Sequence, residues 1–198
     1  LLHQSKNLEG YFHLLNGNRK EMASLFADFI ISVTQFFRDE KAFELLSSQI
    51  IPDIVDQSST DKTIRIWVPA CATGEEAYSL AIALSEYLRK NNIRREFKVF
   101  GSDISQNAIN FAASGLYPSN IESEMPEELL AAYFVKEENH YRVRKSLRER
   151  MLFAMQDVLR DPPFIRMDLI SCRNLLIYLK PEAQRDVLAT FHFALNPD

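Results

Sequence analysis

Through the first third of the chain, apolar residues fall at helical intervals. Leu8, Tyr11, Phe12 and Leu15 repeat every three or four positions before Asn16-Gly17-Asn18 closes the segment. Met22, Leu25, Phe26, Phe29 and Ile30 define a second helical face, which the stretch from Ser32 to Asp39 interrupts. A third helix is predicted from about Glu40, with Phe43, Leu45, Leu46 and Ile50 apolar and Pro52 kinking or ending its first part. The polar run from Asp56 to Lys62 then reads as a linker. Residues 1–56 are therefore expected to form an N-terminal helical subdomain, and 57–198 a second domain.

Beyond the linker the pattern changes to short apolar runs separated by amphipathic segments. Strands are predicted at Ile64–Val68, Phe97–Ser102, Met151–Met155 and Met167–Ser171. Helices are predicted over Gly74–Arg89, Ser105–Ala113 and Glu182–Leu195, with Gly115 suited to cap the second. Residues 116–150 read as an insertion: a loop, a helix near Glu127–Tyr133, and a hairpin around Lys136–Asn139. Strand–helix alternation of this kind predicts an α/β fold with a parallel, doubly wound sheet.

Composition narrows the class. The 198 residues, 46% hydrophobic and 25% charged, are those of a soluble globular chain able to bury a core. A formal net charge of -4 gives no basic footprint for nucleic acid. No run approaches the ~20 apolar residues that span a bilayer, so no membrane insertion is expected. Cys71 and Cys172 lack metal-type spacing and read as reduced thiols of a cytoplasmic protein. No metal ligands are predicted. The start at Leu1 and the stop at Asn196-Pro197-Asp198 read as cuts from a longer chain.

The candidate chemistry begins at the turn after the first strand. Ala70-Cys71-Ala72-Thr73-Gly74 places small residues where a backbone can approach a ligand, directly before a helix N-terminus. It has one glycine where a dinucleotide fingerprint has three, and no Gly-Lys-Ser/Thr for a phosphate loop. Glu75 and Glu76 open the helix, complementing its dipole and repelling phosphate. That favours a cationic or neutral ligand. Asp103, after the second strand, stands where such folds hydrogen-bond ribose hydroxyls.

Four stretches resemble the CheR family of S-adenosylmethionine (SAM) dependent protein-glutamate O-methyltransferases that act on chemoreceptors. They are Thr34-Gln35-Phe36-Phe37-Arg38, Trp67 to Ala83, Ser102-Asp103-Ile104-Ser105, and Ser171-Cys172-Arg173-Asn174-Leu175-Leu176-Ile177-Tyr178. The wording Pro-Ala-Cys-Ala-Thr-Gly-Glu-Glu is most similar to hybrids that join this domain to a methylesterase-like one. The resemblance implies a Rossmann-like class I methyltransferase sheet. It implies that Ser32, Thr34 and Arg38 hold the methionine end of SAM, that Ala70 and Glu75 line the turn with Glu75 toward the amino group, and that Asp103 takes the ribose. Asp157 and Val158 stand where the family usually has asparagine and leucine around adenine, and Ser32 where it more often has asparagine. Cys172, Arg173 and Asn174 would lie beside the sulfonium, with Arg173 and Arg38 the candidates to orient the acceptor carboxylate.

The reaction this implies gives a glutamate γ-methyl ester and S-adenosylhomocysteine. A carboxylate is ionised at neutral pH, with a reference pKa of about 4.3, so no general base is required. The implied partner is the cytoplasmic helical region of a chemoreceptor or related signalling protein. The hairpin around Lys136–Asn139 is short and lacks glycine, which implies no pentapeptide tether. A SAM-binding regulatory module without turnover is the alternative. Asp161-Pro162-Pro163-Phe164 resembles a motif of amino-group methyltransferases but precedes the fourth strand, so it is read as a stiffened loop.

Overall fold

The computed structural model describes residues 11, 12, 15, 16, 18, 22, 34–57 and 61–197. Contacts divide the chain into two compact units, Leu1–Val33 and Thr34–Asp198. The expected helices before Ser32, Ser32 itself and the middle of the linker fall largely or wholly outside the described residues. The boundary at 56/57 drawn from the sequence marks a change of pattern, whereas the unit boundary at 33/34 marks compactness. The second unit contains both sheets and every expected site residue except Ser32.

That unit opens with a non-helical segment, Thr34–Asp39, followed by α1 (Glu40–Leu45) and α2 (Ile51–Gln57), joined by π-helical residues Leu46–Ile50. Pro52 has no N–H to donate, and the helix absorbs this without stopping. The Ile51 N–H reaches back five residues to the Leu46 carbonyl, and α2 continues through the proline near its N-terminus. Pro52 therefore shifts the hydrogen-bond register rather than ending the helix.

The α/β part follows the predicted alternation: β1 (Ile64–Pro69), α3 (Glu75–Lys90), β2 (Phe97–Asp103) and α4 (Gln106–Ser114). The insertion supplies β3 (Leu116–Pro118), a 3-10 turn at Ser119–Ser123, α5 (Glu127–Tyr133), β4 (Phe134–Glu137), β5 (His140–Val143) and α6 (Lys145–Arg148). β6 (Met151–Met155), β7 (Leu169–Ile170), a 3-10 turn at Leu176–Tyr178 and α7 (Pro181–Ala194) complete it. Local caps fix the ends of α4, Gly115 as the sequence predicts and Ser105 as an N-cap rather than the first helical residue. The Ser105 hydroxyl accepts from the Ala108 N–H, and Gly115, at φ +61°, closes α4.

The main sheet is wholly parallel, in the order β6-β2-β1-β7. Alternate residues of β1 serve opposite faces. Ile64, Ile66 and Val68 join the large core with α3, while Trp67 points into a second core with Phe100, Met167, Val187 and Phe191. Burial on both faces explains why β1 reads as a continuous apolar run. β7 is shorter than predicted, because Met167 makes only an isolated bridge to Leu195 beyond α7. The insertion forms a separate antiparallel sheet, β3-β5-β4, with the expected hairpin and an extra strand that alternation had not indicated.

Strand order reverses at β1. β2 and β6 lie to one side and β7 to the other, and such reversal leaves a crevice at the carboxyl ends of the strands.

Candidate functional site at the carboxyl ends of the sheet

The turn leaving β1 is strained. Ala70 (φ +54°) and Ala72 (φ +48°) hold left-handed dihedrals that side-chain-bearing residues rarely adopt, and Gly74 sits at φ +94°. Hydrogen bonds over-determine this conformation. The Cys71 N–H donates to the Ser102 carbonyl (2.9 Å), and the Gly74 N–H to the Cys71 carbonyl (2.9 Å). The Ala72 N–H donates to Asp103 Oδ2 (2.9 Å), and Tyr117 Oη donates to the Thr73 carbonyl (2.7 Å). Gly74 is required for space as well as φ: a Cβ there would lie 2.8 Å from Ala112 Cβ and 3.1 Å from Tyr117 Oη.

Asp103 joins two strand ends. Its second oxygen accepts from the Ser105 N–H at 2.9 Å, so one buried carboxylate holds both the turn after β1 and the turn after β2. Any ribose contact would use the remaining lone pairs.

The two acids that open α3 have different surroundings. Glu75 is buried, with the Thr73 hydroxyl 2.8 Å and 2.7 Å from its two oxygens. Burial raises its pKa above the ordinary carboxylate range. The Thr73 hydroxyl opposes that rise, the charge of Glu124 adds to it, and a hydrogen bond from Thr34 opposes it. Glu76 faces the fourth strand instead, accepting from the Ser171 hydroxyl at 2.6 Å. Burial also raises its pKa, against the Ser171 hydrogen bond and the charges of Arg173 and Arg38. Both acids thus meet residues expected around the methionine end of SAM: Glu75 meets Thr34, and Glu76 meets Arg38 and Arg173.

The segment Thr34–Asp39 is strapped across this site. Phe36 is buried, edge-on to Tyr117 (ring centroids 4.9 Å) and Phe134 (5.5 Å). Its N–H donates to Glu124 Oε2 at 2.8 Å, and the Phe37 N–H donates to Ser79 Oγ at 2.9 Å. Arg173 completes the strap: Nη1 donates to the Arg38 carbonyl (2.7 Å), and Nη2 lies 3.5 Å from Asp39 Oδ2. Arg38 and Arg173, 135 residues apart in sequence, therefore meet, while Thr34 reaches Glu75. Arg173 acts as a clamp on the Arg38 backbone.

The remaining expected residues follow β6 and β7. The Asp157 N–H donates to Asp161 Oδ2 (2.8 Å), and Asp157 Oδ1 accepts from the Leu159 N–H (2.9 Å). Val158 and Cys172 pack against the second core. Burial, reinforced by Glu76, pushes the Cys172 thiol up to about 12, so it remains a thiol at neutral pH. Asn174, exposed at φ +63°, takes the left-handed conformation that asparagine tolerates. Phe164 stacks edge-on to Trp67 (5.6 Å), which supports the structural reading of Asp161–Phe164.

Ser171, Glu124 and Tyr117 were given no role from the sequence, and Glu76 was given only that of opening the helix. Ser171 stands at the end of a predicted strand inside a quoted motif, and Glu76 adjoins Glu75, so both had a positional signal. Glu124 and Tyr117 lie in the insertion, and only tertiary packing connects them to the site.

The arrangement fits SAM. The polar side chains expected at its amino and ribose positions are carboxylates, suited to an ammonium and to hydroxyls. Beside Asp157, the buried Gln156 Oε1 accepts no hydrogen bond among the described residues, while its Nε2 donates to the Pro162 carbonyl (2.7 Å). An acceptor left in that state suits an exocyclic amino group.

Comparisons with known proteins agree. The family model for the CheR methyltransferase SAM-binding domain matches residues 32–198. An uncharacterised 104.1 kDa protein of Rhodobacter capsulatus is 38% identical over 98% of this chain, which covers 20% of that protein. A chemotaxis protein methyltransferase of Borreliella burgdorferi is 31% identical over 83% of this chain and 60% of its own. The chain thus spans between one-fifth and three-fifths of these relatives' lengths. The crystal structure of the DszA carbon methyltransferase shares the fold, with a TM-score of 0.51 and 17% identity over 79% of this chain and 33% of that one.

Proposed function

The chain belongs to the CheR methyltransferase family and carries its SAM-binding domain, and we propose that it transfers the methyl group of SAM to a glutamate side chain of a chemoreceptor or related signalling protein. The observation that carries this reading is the convergence of Thr34, Arg38, Glu76, Asp103 and Arg173 on the carboxyl ends of β1, β2 and β7.

When bound, SAM supplies an electrophilic methyl group, so the protein need only position its acceptor and exclude water. We assign Glu76 and Glu75 to the amino end, Thr34 and Arg38 to the methionine end, and Asp103 to the ribose. Ala70 lines the turn, and Asp157 and Val158 bound the adenine side with Gln156. Ser32, outside the described residues, keeps its assignment from the resemblance alone. Cys172 and Asn174 flank the reacting centre without serving as nucleophiles. Arg38 steers the incoming carboxylate by charge, and Arg173 supports it by fixing the Arg38 main chain. The acceptor arrives ionised and leaves as a neutral ester, so no residue needs to take its proton.

The partner we propose is the cytoplasmic helical region of a receptor. The β4–β5 connection is the two-residue turn Glu138-Asn139, which supports a mode of docking without a pentapeptide tether. Among the described residues no helix is long and apolar enough to cross a membrane.

A SAM-binding module without turnover is the second reading. It is favoured by the Rhodobacter relative, in which the matching part is one-fifth of a much larger protein. Radiolabelled methyl transfer to receptor cytoplasmic fragments, run beside calorimetric titration with S-adenosylhomocysteine, separates the two. Base-labile label on the receptor supports the enzyme, and binding without label supports the module.

A further inference from the structure

Resting on the reading of Thr34–Arg38 as the cradle for the methionine end of SAM, we propose that Glu124 is a positioning residue for the cofactor, through which the insertion fixes that cradle. Glu124 follows the 3-10 turn at Ser119–Ser123 and lies outside all four motif stretches. Its Oε2 accepts the Phe36 N–H at 2.8 Å, a charge-assisted hydrogen bond between partners 88 residues apart.

The cradle needs such support because its conformation is unfavourable on its own. Phe37 (φ +50°) and Asp39 (φ +68°) both hold left-handed dihedrals, and the segment belongs to no helix or sheet ladder. Three successive residues are instead anchored from three different elements. Phe36 is held by Glu124 of the insertion, Phe37 by Ser79 of α3, and Arg38 by Arg173 beyond β7. The insertion also packs Tyr117 and Phe134 against the Phe36 ring, so its anchor combines a polar and an apolar part. Removing Glu124 deletes the polar part and leaves the ring in place. The Arg38 side chain, two residues on, then loses its fixed approach to the site.

The test is calorimetric titration of the chain with S-adenosylhomocysteine, with hydrogen exchange measured over residues 34–38. Glu124→Ala is expected to weaken binding roughly tenfold, as loss of one charge-assisted hydrogen bond requires, and to speed exchange of the Phe36 amide. Glu124→Gln keeps an acceptor oxygen and is expected to bind within about threefold of the parent, a rescue that a purely packing role does not give. If the alanine variant fails to fold, Glu124→Asp, whose carboxylate falls one methylene short, carries the same expectation of weakened binding. Parent-like affinity in Glu124→Ala, or in Glu124→Asp where that variant stands in, overturns the proposal. So does a glutamine variant as weak as the alanine one. Arg38→Ala separates the two layers. Weakened binding there with parent-like binding in Glu124→Ala removes only the Glu124 role, whereas unchanged binding in Arg38→Ala removes the cradle reading and the proposal with it.

Discussion

At the carboxyl ends of the parallel strands, Ala70, Ala72 and Gly74 hold left-handed dihedrals, and Glu75, Glu76 and Asp103 accept hydrogen bonds around one turn. At the amino ends, a cleft of about 520 Å³ opens between Thr63, Phe97 and α3, lined by Lys62, Arg94, Arg95 and Arg150 together with Asp61 and Glu96. The cleft has the volume, and the opposite end has the strain and the buried acids. Lys62, Arg94 and Glu96 are exposed there, Arg95 is buried, and Arg150 lies 3.4 Å from Glu96 and over the Phe97 ring. On the proposed function, concavity alone is a poor guide to chemistry in this sheet, and strand order with over-determined backbone marks the candidate site.

The sharpest way to break this contrast is Gly74→Val. A β-branched residue at φ +94° with Ala112 Cβ at 2.8 Å combines backbone strain and overpacking, and a loss of about 3 kcal/mol is expected in urea denaturation. A near-neutral effect would show that the turn is not over-determined. Asp103→Ala comes next. It leaves the Ala72 and Ser105 N–H groups without their acceptor and is expected to weaken S-adenosylhomocysteine binding by at least about tenfold. Arg173→Ala is expected to lower methyl transfer by roughly tenfold through the freed Arg38 main chain, with Arg173→Lys recovering part of it. Unchanged turnover with intact cofactor binding in Arg173→Ala would remove that residue from the mechanism.

A subtler probe uses pH. Glu75 is raised in the folded state, so the native protein binds a proton more tightly than the unfolded chain does. Its contribution is therefore most favourable below the unfolded carboxylate pKa and declines as pH rises from there through the raised folded value. Glu75→Gln is expected to stabilise the chain at pH 7 relative to pH 4, read as melting temperature against pH. A flat difference between the two proteins would contradict the burial argument. The smallest effect is expected at the other end of the sheet. Lys62→Ala with Arg94→Ala should change stability by less than about 0.5 kcal/mol and leave cofactor binding intact.

The elements that follow simple periodicity were legible in the sequence. β1, β2, β6 and α3–α5 fall within one or two residues of their predicted ranges, because dense apolar runs and the Ser105 and Gly115 caps specify them locally. Where tertiary contacts decide, the sequence was silent. β3 pairs as a three-residue strand only because β5 lies beside it. Pro52 continues a helix because the preceding turn widens to a π register. At the candidate site, the sequence names the motif residues but not their contacts. Glu75 and Glu76 look equivalent in sequence, and only the helix phase turns one toward Thr73 and the other toward Ser171. Arg173 carries a charge suited to substrate, yet its guanidinium is occupied with the Arg38 carbonyl. Glu124 has no periodic relation to any motif, so no pattern could have placed it on the Phe36 N–H.

The most direct test of the central claim is titration of S-adenosylhomocysteine into three forms: the parent chain, Asp103→Ala, and Lys62→Ala with Arg94→Ala. Binding at the carboxyl ends of the strands predicts a one-to-one complex in the parent, at least about tenfold weaker in the Asp103 variant, and undiminished in the cleft variant. No binding in the parent, or binding lost in the cleft variant and kept in the Asp103 variant, would contradict it.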